Sequence, residues 1–315
     1  MKNSVIVIGG PTASGKSKLA IDLALRLNGE IINADSMQVY ADTPILSAVP
    51  DNKEKALAEH HMFEIYESSV HGNVVDWLDL CVNKIQEIQA KGKLPVVVGG
   101  TGLYLNNLIN GTTPIPPAAK EVREKIYAEL KENSLEYMYE KLQKIDEKTA
   151  KRLSKNDKTR ILRALEVYAS TGIKISDWYE KPLIKRLPQA KFFVIKLLPD
   201  IAELNERCAF RFEKMIKEGA LTEVKKLIAK NLPDDLPAMK ALGVPELTAY
   251  LKGEITLNEA VVLAKIHTRQ YAKRQLTWFR NQLKADITVT ECYDGQKNIV
   301  DDIEKNIENS CEMKD

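Results

Sequence analysis

Eight residues near the N-terminus, Gly10-Pro11-Thr12-Ala13-Ser14-Gly15-Lys16-Ser17, limit most strongly what this chain can fold into. They satisfy G-x-x-x-x-G-K-[ST]. The apolar run 4–9 before them reads as a buried strand. Residues 18–27 after them read as an amphipathic helix, closed by Asn28-Gly29. A strand, a glycine loop and a helix in that order make a phosphate cradle. The glycines let backbone N–H groups converge on phosphate oxygens, and the helix N-terminus adds its positive dipole end. Lys16 supplies a point charge and Ser17 a hydroxyl able to hold Mg²⁺. The loop implies a bound phosphate chain. It leaves open whether that chain belongs to a nucleotide such as ATP, and whether a phosphoryl group moves.

The pattern downstream supports a parallel α/β core. Residues 30–35 read as a second strand, 76–91 as a helix and 94–100 as a Val-rich strand entering a glycine turn. That β-α-β alternation calls for crossover helices on a parallel sheet. The proline-rich 112–117 run is a stiff break. Residues 118–171 show only helical periodicity, strand character returns at 191–198, and long helices follow from 201 and from 256 to 284. We therefore expect a P-loop NTPase-like parallel sheet flanked by helices, built from 1–113 and 190–315, around an all-helical insert at 114–189.

Composition narrows the class. The net charge is only +2, but residues 113–191 carry 18 Lys/Arg against 12 Asp/Glu, and residues 265–284 carry six Lys/Arg and no acid. Two basic segments on a near-neutral chain form an electrostatic footprint for a polyanion larger than one phosphate. Solvated lysine-rich helix faces are the plainer explanation, and weaker for the acid-free stretch. Cys81, Cys208, Cys292 and Cys311 are scattered without a C-x-x-C pair, so a reducing cytoplasm is expected rather than a disulfide or zinc framework. No signal h-region or membrane-spanning run is evident, and a monomer is expected.

Other residues gain meaning from position. Asp35 follows the second strand, and strand C-termini in parallel sheets converge on the ligand crevice. There it can bind metal, act as a base, or simply cap a turn. Gly99-Gly100-Thr101-Gly102 ends the next strand on the same rim. Arg207 and Arg211 share one helical face and suit a bidentate phosphate clamp, or pair with Glu203 or Glu206. Arg269, Lys273 and Arg280 share a helical stripe in a segment that also holds Tyr271, Trp278 and Phe279. Basic residues contact phosphates and aromatics stack on bases, although Phe279 reads first as core. His60-His61 lacks metal-ligand spacing and reads as structural or substrate-contacting.

Taken together, the segments resemble the tRNA dimethylallyltransferases (tRNA isopentenyltransferases), bacterial form. The resemblance rests on GPTASGKS (10–17), NADSMQVY (33–40), HHMFEI (60–65), VVVGGTGLY (96–104), TRILRALEVY (159–168), RCAFRFEKM (207–215) and TRQYAKRQLTWFRN (268–281). It implies transfer of a dimethylallyl group from dimethylallyl diphosphate to N6 of the adenosine 3′ of a tRNA anticodon, with diphosphate leaving. It further implies Asp35 as base, Thr101 holding the adenine, and Arg211 with residues 10–17 and Arg207 on the diphosphate. Mg²⁺ at Ser17 would be the cofactor. Implied tRNA contacts are Asp35, Ser36, Met37, Gln38, Thr101, Arg123, Thr159, Arg160, Ile161, Leu162, Arg163, Lys273, Arg274, Gln275, Trp278 and Arg280. The insert would grip the anticodon arm, and the target base would flip out of its stack.

Three stretches depart from the family pattern: Leu46-Ser47-Ala48-Val49-Pro50 replaces G-T-A-K-P, Thr159 replaces a Gln, and Leu242-Gly243-Val244-Pro245-Glu246 replaces I-G-Y-K-E. They touch the expected tRNA grip and leave the expected catalytic positions intact. No zinc-finger extension is expected after the motifs, as in the bacterial form. Three alternatives stay open: an adenylate dimethylallyltransferase making cytokinin, a small-molecule P-loop kinase, and an RNA-binding P-loop protein without catalysis. The first needs neither the insert nor the basic 273–280 stretch.

Overall fold

The computed structural model describes residues 3–312, with side chains to residue 309. The elements run β1 (Ser4–Gly9), α1 (Lys16–Arg26), β2 (Gly29–Asn33), α2 (Pro44–Ser47), α3 (Asn52–Leu57), β3 (His60–His61), α4 (Val74–Ala90), β4 (Leu94–Gly99) and α5 (Gly102–Asn110). Five helices follow: α6 (Lys120–Glu132), α7 (Leu135–Ile145), α8 (Glu147–Arg152), α9 (Lys158–Thr171) and α10 (Ile175–Trp178). Then come β5 (Lys191–Leu197), α11 (Ile201–Lys217), α12 (Ala220–Ile228), α13 (Val244–Leu251), α14 (Leu257–Gln282), β6 (Ile287–Val289) and α15 (Lys297–Glu312).

The six strands form one sheet in the order β3-β2-β4-β1-β5-β6, every pairing parallel. The central strand β1 places Val7 opposite Val97 of β4 and Val194 of β5. Strands covered on both faces need apolar side chains in both directions, which explains the unbroken Val/Ile runs. Ile6 and Ile8 point into a core with Leu19 and Leu23 of α1 and with Ile299, Val300, Ile303 and Ile307 of α15. Val5 and Val7 point the other way, among Trp77 and Ile85 of α4, Leu105 of α5 and Phe279 of α14. The sequence reading assigned no strand beyond residue 198. β6 nonetheless extends the sheet, pairing Ile287 with Ile195.

The chain divides into two compact units, one holding the sheet, the other running from Asn110 to Lys185. The second begins at Asn110, ahead of the proline run, and its ends are joined by an antiparallel bridge between Thr112 and Ile184. Its core is all helix-borne: Ile126, Met138, Leu142, Ile161, Leu162, Leu165 and Trp178. Leu187 and Ala190, past its end, pack in the core of the sheet unit. Cys81, Cys208 and Cys292 are buried free thiols, while the side chain of Cys311 lies outside the described residues. Among the described residues no helix is long and apolar enough to cross a membrane.

Candidate active site

The C-terminal ends of β1, β2 and β4 open on one rim and present the phosphate loop, Asp35 and the 99–102 turn together. The loop conformation follows from its glycines. Gly15 caps α1 at φ 91°, and a Cβ there would lie 2.0 Å from the Tyr293 carbonyl oxygen. No other residue fits without moving that backbone. Ser14 Oγ donates to the Pro11 carbonyl at 2.8 Å, and Lys16 Nζ donates to the same oxygen at 2.6 Å. The Tyr293 amide donates to the Ser14 carbonyl at 3.0 Å, and Lys18 Nζ donates to the Asp294 carbonyl. The segment after β6 thus braces the loop from behind.

Two side chains reach the loop from distant helices. Gln275 of α14 is buried. Its Oε1 accepts from the Thr12 amide at 2.8 Å, and its Nε2 donates to the Gly100 carbonyl at 2.8 Å. One amide therefore ties the phosphate loop to the glycine turn after β4. Arg211 of α11 donates from Nη2 to Thr12 Oγ1.

The electrostatics at this point are unusual. Burial drives the Lys16 ammonium down to about 8, with Arg211 adding repulsion and Asp35 opposing the fall. Burial also lowers Arg211. Two desolvated cations beside one loop carry a solvation cost that a polyanion would offset.

Asp35 is oriented by its neighbours. Asn33, buried at the end of β2, accepts from the Asp35 amide at 2.8 Å and donates from Nδ2 to the carbonyls of Asp35 and Met62, both at 3.1 Å. Trp77 Nε1 donates to the Asn33 carbonyl at 3.0 Å. Asp35 Oδ1 accepts from the Met37 amide at 2.9 Å. Its Oδ2 lies 3.1 Å from where a Cβ on Gly100 would stand, so it faces the glycine turn. Thr101 Oγ1 accepts from the Ser36 amide at 2.9 Å and donates to Ser36 Oγ at 3.1 Å. Tyr271 stands one turn before Gln275 on α14. Burial and the Asp35 carboxylate both raise its phenol.

Several residues expected at the site do other work. Ile161 and Leu162 are 0% and 1% exposed in the helical core, so their side chains cannot reach RNA. Gln275 spends its amide internally, and Gln38 Nε2 donates to the Ser47 and Ala48 carbonyls at 3.1 and 2.7 Å. Arg207 is held by Asp294, with its Nη1 at 2.9 Å from Oδ1, and by Glu203 at 3.2 Å. Its guanidinium braces the post-β6 loop, in contrast to Arg211, which touches the phosphate loop. Lys273, Arg274 and Arg280 are exposed along α14, and Thr159 and Arg160 are exposed on α9. Trp278 is half-buried against Gly102, where a Cβ would come within 2.2 Å of the indole. His61 Nε2 lies 2.7 Å from Glu30 Oε2 at the sheet edge, which is a structural contact. The sequence reading missed Asn33 and Tyr271 as site residues. Asn33 was legible as a polar residue ending an apolar strand.

Comparison with known proteins assigns the chain to a family. The family model for IPP transferase matches residues 38–282. The chain belongs to the IPP transferase family. It is 43% identical over 281 residues to a tRNA dimethylallyltransferase of Zymomonas mobilis, covering 89% of each chain. It is 40% identical over 305 residues to one of Rickettsia massiliae, covering 96% of this chain and 83% of that one. Among solved structures, the tRNA isopentenylpyrophosphate transferase of Bacillus halodurans aligns with TM-score 0.70 and 35% identity, covering 99% of both chains. A eukaryotic dimethylallyltransferase acting on tRNA aligns with TM-score 0.81 and 31% identity, covering 94% of this chain and 75% of its own.

Proposed function

We infer that this chain transfers a dimethylallyl group from dimethylallyl diphosphate to N6 of the adenosine 3′ of the anticodon in tRNA, releasing diphosphate. The observation that carries this reading is the meeting of two half-buried cations, Lys16 and Arg211, with one oriented carboxylate, Asp35, on a single rim.

In the proposed reaction the N6 lone pair forms a bond to C1 of the allyl group as the C1–O bond breaks. The bonding pair leaves with the diphosphate. The loop amides, Lys16 and Arg211 stabilise the charge gathering there, which is the dominant kind of help such a site gives. Asp35 takes the proton lost by the amine. Thr101, fixed through Ser36, stands on the same rim to orient the adenine. The exposed Ser17 hydroxyl at the start of α1 is a hard oxygen donor that would hold Mg²⁺. Mg²⁺ when bound would supply charge neutralisation at the diphosphate.

A polynucleotide acceptor is favoured over free adenylate by the acid-free basic run 265–284 and by the basic helical unit. Each presents exposed cations suited to phosphates. An intracellular, cytoplasmic location follows from a tRNA substrate.

The test is a transfer assay with Mg²⁺ and radiolabelled dimethylallyl diphosphate, offering unmodified tRNA or AMP, with ATP plus tRNA as control. Label in tRNA, located to one adenosine by nucleoside digestion, supports the reading. Label in AMP moves the protein to cytokinin chemistry. ATP consumption without transfer moves it to a kinase.

A further inference from the structure

The buried carboxylate of the helical unit lies outside the chemistry above. Glu166 sits on α9 among the core residues Ile161, Leu162, Leu165 and Val167, and its side chain is 7% exposed. Its two oxygens serve two helices. Oε1 lies 3.6 Å from Arg123 Nε on α6, and Oε2 lies 3.4 Å from Arg163 Nη1 on α9 itself. Both arginines remain open to solvent, their side chains 57% and 38% exposed.

Stability does not account for this carboxylate. Removing a carboxylate from water costs several kcal/mol in outline, and an apolar residue of similar volume usually serves a core as well or better. Electrostatic attraction to RNA does not account for it either, because a negative charge beneath a basic surface repels phosphate. What the geometry does provide is alignment. One anion draws two guanidiniums on different helices to a shared point and restricts their rotamers. Their outward N–H groups are then pre-set for phosphate, and an arginine fork gains most when little freedom is left to lose.

We propose that Glu166 is a positioning residue for tRNA, holding Arg123 and Arg163 as a paired phosphate clamp. This rests on the reading of the protein as a tRNA-modifying enzyme.

The proposal makes a prediction opposite to simple charge counting. Deleting a negative charge should tighten RNA binding if only net charge matters. If Glu166 positions the clamp, Glu166→Gln and Glu166→Met both weaken binding. The experiment uses the full chain and an unmodified anticodon stem-loop, with Kd measured between about 50 and 200 mM salt. Expected are a several-fold rise in Kd and a log Kd–log salt slope shallower by about one. With saturating stem-loop, kcat should be unchanged. Thermal stability should be unchanged or higher for Glu166→Met. If that variant does not fold, Glu166→Gln decides alone. Binding as tight as wild type or tighter, or weaker binding with an unchanged slope, overturns the proposal. Arg123→Ala and Arg163→Ala run alongside. Wild-type binding by both overturns the RNA-surface reading itself, and the clamp with it. Weakened binding by these two with normal binding by the Glu166 variants overturns only the positioning role.

Discussion

The pH dependence of diphosphate-substrate capture is the sharpest consequence of the half-buried Lys16. Its ammonium titrates near 8, against 10.5 for a free lysine. Capture needs the charged form, so kcat/KM for dimethylallyl diphosphate should fall along an alkaline limb with a midpoint near 8. The protonated fraction drops from about nine-tenths at pH 7 to about one-tenth at pH 9, a loss of roughly tenfold. The assay is the initial rate at subsaturating dimethylallyl diphosphate and saturating stem-loop, from about pH 6.5 to 9.5. Lys16→Arg keeps a charge throughout this range and should lose the limb, whatever its absolute rate. A flat wild-type profile, or the same limb in Lys16→Arg, refutes the reasoning. Folding responds with the opposite sense. The native state binds fewer protons than the unfolded state between about 8 and 10.5, so stability rises with pH in that window. The full gain is roughly 3 kcal/mol, and smaller in practice because part of the side chain still reaches water. Lys16→Met should therefore be the more stable protein at pH 7, and inactive.

Other perturbations separate chemistry from scaffold. Asp35→Asn should lower kcat by about 10²–10⁴ while leaving stem-loop Kd unchanged, measured by single-turnover transfer and filter binding. Gln275→Leu removes one buried and one partly buried hydrogen bond worth about 1 kcal/mol each and leaves the Thr12 amide without its partner, so the KM for dimethylallyl diphosphate should rise and Tm fall. Leu162→Ala should cost about 2–5 kcal/mol in denaturant unfolding without changing the salt slope of RNA binding, as befits a core residue. Chelation by EDTA should abolish transfer and added Mg²⁺ should restore it, with stem-loop binding unaffected.

What was legible in the sequence was local. The strand, loop and helix around Gly10–Ser17 are contiguous, and their chemistry is written in adjacent residues. The Val-rich runs required a parallel sheet with both faces covered, and that sheet is present. β6 escaped because three residues inside an acidic segment carry too little periodicity to register, and only pairing with β5 makes them a strand. Motif matching marked Ile161, Leu162 and Gln275 as RNA contacts, since a motif records which positions matter and not which way they face. Helical phase would have corrected the first two, because 161, 162 and 165 lie within about 100° of one another on the helix and form an apolar face. No local signal could have shown that Arg207 finds Asp294 while Arg211 finds Thr12. The two arginines share a helix face, and the partners that separate them come from distant parts of the chain.

The brace behind the phosphate loop has a consequence for biosynthesis. Translation delivers the complete loop motif within the first tenth of the chain, yet Tyr293 and Asp294 hold that loop, and α15 covers α1 from residue 299 onward. A nascent chain emerging N-terminus first can pair β1 with β4 early, but cannot close the cradle until residues 292–307 have left the ribosome. A prematurely terminated fragment would carry every residue of the motif without the backbone that keeps Gly15 in place. The phosphate cradle is therefore a late product of folding, complete only when nearly the whole chain is available.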